Sequence, residues 1–376
     1  MELPNIKFAE GDSRLLASKL KEVYEAVRQA HGEPTYRMHD GEPIRLIQLT
    51  EAALLSQINT DIDITGKGNL LYFAGEETIE HIGLLYGERG RRLQPTPART
   101  TIRYILSAPR NVTTVIPQGS RLTPDNRIFF ATTQNLEILA GETVGEVSAE
   151  ALTNGSVGNG FLAGEIRNIV DRNPFVQSAE NITESTAGTD LEDIESYRAR
   201  IQLLPESFSV AGPDGAYEFW AKTANSDIVD VAVWSPEPGE VNIVPLMKNG
   251  ELPSEEVLTQ VYETLNDRKI RPLTDLVHVL SPTIVDYEIN VDYWVSEENI
   301  FNLATIEQAI LDAISGYIGW QETKLGRNIN PSQLHFMIMS AGATGVKINE
   351  PLFRKLENSE VAKNINIFIN GEKLWI

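Results

Sequence analysis

Five histidines, a glycine-rich loop and an excess of carboxylates are the residues of this chain whose types could do chemistry. The histidines are His31, His39, His81, His278 and His335, and none stands in an H-x-x-x-H or comparable metal-ligand spacing. His31 and His39 with Asp40 could meet a metal ion, but a solvated loop explains them as well. His278 alternates with Val277 and Val279, as a structural or surface residue of a strand does. The loop Gly155-Ser156-Val157-Gly158-Asn159-Gly160 carries the glycines of a phosphate cradle without its Lys and in strand-rich surroundings. A tight turn using positive φ is the expectation there. Ala341 to Gly345 reads as a helix stop. Asp61 and Asp63 lack the ligand ladder of a calcium loop, and no G-x-S-x-G elbow occurs. Asp190, Glu192, Asp193 and Glu195 read as a solvated face with acids in a first helical turn. Cysteine is absent, which excludes disulfides, thiolate zinc sites and thiol catalysis. The expectation is a chain with no catalytic residue, no cofactor and no metal.

Charge narrows the partners. A net charge of −21 opposes nucleic acid and anionic membrane surfaces and favours solubility. One basic concentration, Arg89, Arg91, Arg92, Arg99, Arg103 and Arg110, interrupts the acidic chain. Aromatics are sparse there, so a linker pairing with acidic surfaces of a neighbouring chain, or a solvated linker, fits better than a nucleic-acid patch. Met1-Glu2-Leu3-Pro4 lacks the basic and apolar regions of a signal peptide, and no run approaches the ~20 apolar residues of a membrane span. Synthesis and folding in the cytoplasm are expected, and the sequons at Asn111, Asn154 and Asn181 carry no weight.

The elements that would position these residues predict a multidomain α+β chain. Its helical arm covers residues 1–96, with Leu16, Leu20, Val23, Tyr24 and Val27 at helical spacing. Gly32 to Pro43 breaks that helix. A second helix carries Leu46 to Ile58, and a third carries Leu71, Ile79, Ile82 and Leu85. Such apolar stripes lack partners within the arm and call for them elsewhere. A β-rich middle domain at 97–172 follows, with a strand from Arg127 to Thr132, and Asn173 to Asp190 reads as a connection. An α+β domain at 190–281 opens with a polar helix, Leu191 to Pro205. It then runs helix Asp214–Ala224, strand Ile228–Trp234, strand Glu240–Met247, helix Ser254–Arg268 and strand Leu276–Leu280. The C-terminal α+β domain, 282–376, opens on the strand Ile284–Val295, alternating on one buried face. Helix Leu303–Tyr317, a helix from Asn330, and strands Gly345–Ile348 and Ile365–Ile369 complete it.

Order and spacing of motifs add a resemblance. Ile116-Pro117-x-Gly119-x-x-Leu122-Thr123, Phe130-x-Thr132-Thr133, Gly145-x-Val147 and Gly158-Asn159-Gly160-x-Leu162-Ala163-Gly164 follow one another in the middle domain. Ile82-Gly83-Leu84-Leu85-Tyr86-Gly87-Glu88-Arg89 and Pro97-Ala98-Arg99-Thr100 precede them. Gly215-Ala216-Tyr217, Val229 to Val233, Pro236 to Val244 and Arg271-Pro272-Leu273-Thr274-Asp275 follow. Together they resemble baseplate J-like proteins, wedge subunits in the baseplates of contractile-tailed phages and related injection particles. The match runs from about Arg45 to Val295 and more weakly to Ile376. The resemblance implies a structural protein of a virion or phage-tail-like particle. It implies pairing with itself, a second wedge protein, and contacts with hub and sheath-initiating lysozyme-like subunits. It also implies that neighbouring copies pair through Ser281 to Ile376, in a ring whose rearrangement triggers sheath contraction.

A free-standing adhesin or carbohydrate binder is the alternative. A binder concentrates exposed aromatics on its β-domain, whereas Val115 to Ile166 holds only Phe129, Phe130 and Phe161. The tryptophans are Trp220, Trp234, Trp294, Trp320 and Trp375, three of them expected in their own cores. Trp294 falls on the polar face of its strand, so it is the candidate interface anchor beside Arg89, Arg91 and Arg92. A later helix, Asn330 to Ser340, packing over that face is the competing reading.

Overall fold

The computed structural model describes residues 6–209, 212–272, 274–296 and 302–374. They form two compact units, residues 1–91 and 92–376. In the first, α1 (Ser13–Ala30), α2 (Pro43–Gly68) and α3 (Glu76–Leu84) form the helical arm. Asp12 caps α1 by accepting from the Arg14 N–H, and Pro43 opens α2, where its missing N–H matters least. Polar groups join α1 to α2: Arg45 Nη1 donates to Ala17 O (3.0 Å) and Gln48 Nε2 to Leu20 O (3.4 Å). The seam buries Ala17, Gln48 and Ala52, all small or polar. Larger apolar side chains point away from it: Leu15, Val23, Val27, Leu46, Leu54 and Ile58 are exposed. Leu71 falls outside α3 because the helix starts only after its N-cap Gly75, and Leu85 is its C-cap.

The middle domain comprises β1 (Pro97–Leu106), β2 (Thr114–Ile116), β3 (Arg121–Thr123), β4 (Phe130–Thr132), β5 (Leu136–Ile138), β6 (Val144–Asn154), β7 (Asn168–Ile169) and β8 (Val176–Asn181). Six of them make one sheet in the order β7-β3-β4-β6-β1-β8, while β2 and β5 pair separately. The Gly164 N–H donates to Asn181 O (2.7 Å) and the Asn181 N–H to Ile166 O (3.2 Å), so the two ends of the sheet nearly meet. Strict alternation in β1 puts Ala98, Thr100, Ile102, Tyr104 and Leu106 inside. Two expectations are corrected here. The strand expected from Arg127 begins only at Phe130, because Asp125 accepts from the Arg127 and Ile128 N–H groups (2.8 and 3.0 Å) and holds a turn open. The stretch read as a connection from Asn173 supplies β8, so the domain continues well past residue 172.

The central domain holds α4 (Ile194–Leu203), a 3-10 turn at Leu204–Phe208, α5 (Asp214–Ala224), β9 (Ile228–Trp234), β10 (Glu240–Met247), α6 (Glu255–Leu265) and β11 (Leu276–Val279). β9 and β10 form an antiparallel hairpin, and α6 carries the chain across to β11, parallel to β10. Ser254 caps α6 by accepting from the Val257 N–H. Tyr217, Ala221, Val257, Val261 and Leu265 close over Ile243 and Val277.

In the last domain β12 (Thr283–Ser296) is flanked by β13 (Gly345–Glu350), antiparallel, and β14 (Glu360–Leu374), parallel. α7 (Leu303–Glu322) and α8 (Pro331–Ser340, capped by Asn330) cover one face. α7 outruns its expected end at Tyr317. The stripe Ile310, Ile314, Tyr317 and Gln321 stays buried, and Gln321 Nε2 donates to Arg327 O (2.7 Å). β14 begins five residues before Ile365 because Val361 and Ala362 pack inward without any alternation to announce them.

Candidate protein interface

Trp294 stands at one end of a polar sheet face. Val285, Tyr287, Ile289, Val291, Tyr293 and Val295 of β12 are buried with Ile314 and Tyr317 of α7 and Leu334 and Ile338 of α8. α8 therefore packs on the side opposite Trp294, so the competing reading of Asn330 to Ser340 as its cover does not hold. On the Trp294 side, Asp292 accepts from Asn349 Nδ2 (2.8 Å) and Asn370 Nδ2 (2.9 Å), and Asn366 Nδ2 donates to Glu288 (2.8 Å). The Asn370 and then the Asn349 hydrogen bonds hold the Asp292 carboxyl below its usual range. The half-buried Trp294 ring lies against Gly345, its cross-strand partner on β13. A Cβ on Gly345 would sit 3.2 Å from Trp294 Cε3. Gly345 is thus what lets the ring lie down on the sheet, a role its reading as a helix stop missed. Trp220 and Trp234 pack at the edges of apolar cores. Trp320 is 37% exposed, with the Arg327 guanidinium 4.2 Å from its ring centroid. Trp375 lies outside the described residues.

The basic cluster does not form one linker. Arg91 pairs with Glu88 at 2.9 Å, and Arg89 is exposed beside it in a 3-10 turn, Gly87–Gly90. Arg92 Nε donates to Glu192 O at 2.6 Å. Arg99 and Arg103 lie within β1, directly across the ladder from Glu150 and Glu146 on β6, at 2.9 and 2.8 Å. Arg110 stacks on Phe175, 3.5 Å from the ring centroid. Arg91, Arg92, Arg99, Arg103 and Arg110 thus meet partners within their own chain.

The acids expected on a solvated helix face do other work. Asp190 accepts from the N–H and then the hydroxyl of Ser156 (2.9 and 2.7 Å), which hold it below its usual range and fasten the Gly155–Gly160 loop. Gly155 and Gly160 adopt the positive φ expected of a tight turn. Asp193 caps α4 through the Ser196 N–H. Glu192 is buried, 2% exposed, against Arg200 at 1%, with hydrogen bonds of 2.8 and 2.7 Å. The Leu93 N–H donates to the same carboxylate at 3.0 Å. Glu195, exposed on α4, pairs with Arg198 at 3.4 Å. An acid eight residues before an Arg carries no periodic signal, which is why this pair was not legible. Nearby, Lys248 bridges Asp193 (3.1 Å) and Asp227 (3.0 Å). Its partial burial works against the charge, but the two carboxylates outweigh it and raise its pKa.

Among the described residues no group of His, Asp and Glu is arranged to hold a metal ion, and no helix is long and apolar enough to cross a membrane. His31 closes the C-terminus of α1, and Asp40 lies 3.8 Å from Lys21 and 3.9 Å from Arg45.

Comparison with known proteins matches three domain models in tandem. They are the Baseplate J-like protein barrel domain at residues 105–188, the Baseplate J-like central domain at 209–281 and the Baseplate J-like protein C-terminal domain at 287–370. The first reaches beyond β8, in keeping with the longer middle domain. Baseplate protein J of Escherichia phage P2 is 32% identical over 188 residues, which span 50% of this chain and 61% of that protein. A chain in the cryo-EM structure of the anti-feeding prophage baseplate, 6-fold symmetrised, aligns over 97% of this chain and 100% of its own length. Its TM-score is 0.41 at 11% identity.

Proposed function

This chain belongs to the baseplate J-like family, and we propose that it is a structural, non-enzymatic wedge subunit of a tail baseplate. In this reading two copies pair and a second wedge protein joins them through the arm. The wedges form a ring around the hub and contact the sheath initiator, in a virion or a phage-tail-like particle. The protein is made in the bacterial cytoplasm.

The observation that carries the reading is the inverted arm. α1 and α2 meet through Ala17, Gln48 and Ala52 while Leu46, Leu54, Ile58 and Ile62 stay exposed. Exposed apolar surface of that extent belongs to an interaction site, and amphipathic helices of this kind gain most of their stability from packing against others. The middle domain does not favour the adhesin alternative. Phe130 is buried and meets Phe161 edge to face, so these rings are engaged internally.

Particles produced with and without this chain, imaged by cryo-EM, test the proposal. Its density is expected in the ring around the hub, and its deletion should abolish complete baseplates. Leu54→Glu together with Ile58→Glu should block incorporation while leaving residues 92–376 folded. Complete baseplates that lack the chain would refute the proposal.

A further inference from the structure

The chain passes once from the arm to the rest of the molecule, at the Arg91–Arg92 peptide bond. Any pull on the arm therefore arrives along the backbone at Arg92, the start of a strap that runs to β1. The first residue the strap meets is Glu192, which leads into α4. Arg92 Nε donates to Glu192 O (2.6 Å) and the Leu93 N–H to the Glu192 carboxylate (3.0 Å). The Glu192 N–H donates in turn to Leu93 O (3.2 Å). From behind, Arg200 fixes the same carboxylate with two hydrogen bonds of 2.8 and 2.7 Å, and both of these side chains are buried.

Between Leu93 and Thr96 the strap has little to hold it. Gln94 is exposed, Pro95 has no N–H to donate, and no side chain from Arg92 to Pro97 is buried. Thr96 is a firm stop. Its N–H donates to Thr189 O (2.9 Å), and its C=O accepts from the N–H groups of Thr189 (3.2 Å) and Gly155 (2.9 Å). Its hydroxyl lies 2.9 Å from that of the buried Thr189. Two residues later Ala98 enters the core of the middle domain. A stretch with few buried apolar contacts is the part of a structure that opens first. Lifting residues 92–95 breaks the bonds of Arg92 and Leu93 to Glu192 but leaves Arg200 on the carboxylate. Opening therefore strands no buried charge, the costly step in breaking such a pair.

We infer that the Glu192 joint is a latch on the arm. Under load, residues 92–95 lift off Glu192 and the strap opens as far as Thr96, while the middle and central domains stay folded. The four residues released give the arm up to about 13 Å of extra tether, at ~3.3 Å per residue. When the load is removed the joint re-forms, because Arg200 has kept the carboxylate in place. The inference rests on the proposed wedge role for the source of the load, partners that hold the arm. The opening itself belongs to this chain alone.

Hydrogen exchange on the full chain, resolved at single amides, tests the latch without a particle. The Leu93 and Glu192 N–H groups, which bond across the joint, should open about a hundredfold or more as often as those of Thr96 and Thr189. Arg92→Met removes one donor to Glu192 and should raise exchange at Leu93 and Glu192 about tenfold, with Thr96 and Thr189 unchanged. Equal opening at all four amides of the wild-type chain overturns the inference, whether or not the variant folds. So does a rise in the variant that all four share, and so does Leu93 exchange that the variant leaves unmoved. A joint that stays closed in a chain found in the baseplate ring sinks this inference alone. A joint that opens in a chain absent from the ring upholds it and sinks the proposed function.

Discussion

Removing the Arg200 guanidinium should damage the central domain more than any surface charge change in this chain. Glu192 is 2% exposed and holds three hydrogen bonds to its carboxylate, two from Arg200 and one from the Leu93 N–H. In Arg200→Met the carboxylate keeps the Leu93 N–H but loses the buried guanidinium and stays buried. Breaking a buried pair from one side costs about 3–5 kcal/mol. Replacing both partners is different, because no charge then remains. Glu192→Met with Arg200→Met loses chiefly the partner of the Leu93 N–H, about 1–3 kcal/mol. The double variant should therefore be at least as stable as Arg200→Met, a strongly non-additive cycle. Urea unfolding of the full chain, followed by tryptophan emission, measures this, since Trp220 and Trp234 pack in the same domain. In a domain of this size the single variant should also melt roughly 10 °C lower. An Arg200→Met chain within about 0.5 kcal/mol of wild type, or additive single variants, would refute the argument.

Two further outcomes follow from contacts already described. Gly345→Val drives a side chain into the space where a Cβ already approaches Trp294 to 3.2 Å. It should cost ~1–3 kcal/mol and shift tryptophan emission to the red, while the same change in a Trp294→Ala chain should cost less; equal costs in both would contradict it. Ser156→Ala removes one of the hydrogen bonds that depress Asp190, whose ordinary pKa is 3.8. A depressed carboxylate contributes stability above its ordinary pKa and loses it as pH falls through the lower folded value. NMR titration should find Asp190 titrating higher in the variant, with a stability deficit present above pH 3.8 that disappears as pH falls through the folded value; an unmoved titration would contradict the assignment.

Elements with a periodic signal were legible in the sequence, and contacts without one were not. α5, β9 and β10 fall on their expected bounds because a cap or a turn marks each end. The alternation of β12 revealed both its buried face and the placement of Trp294 on the other. The failures share a physical cause. β8 reads as a polar connection because only one of its faces is needed, with Ala179 and Asn181 as its buried residues. Asn181, noted only as a sequon, is 1% exposed and holds Ile166 N through Oδ1 at 2.9 Å. Glu192 looked like one more acid in an acidic segment until its distant partners were in place. A buried polar residue is defined by what surrounds it, and no local pattern carries that information.

Where the chain leaves apolar surface uncovered bears directly on how it works. In the middle domain the phenylalanines are engaged: Phe130 with Phe161 at 6.0 Å between centroids, and Phe175 beneath Arg110. Uncovered apolar surface on regular elements includes the outward stripe of α1 and α2 and the edge of β14. Small ligands are recognised in concave pockets with a few convergent polar groups, whereas helix faces and strand edges are recognised by other helices and strands. α2 alone, at 26 residues, is about 39 Å long at 1.5 Å per residue. A partner laid along it would contact many residues at low cost in chain ordering, since the helix already holds them in place. Rigid apolar surfaces of this kind, each suited to an extended partner, fit the proposed role of a component held by several neighbours at once. Substitutions on these surfaces should therefore act on assembly while leaving the fold of residues 92–376 intact, the reverse of what Arg200→Met should do.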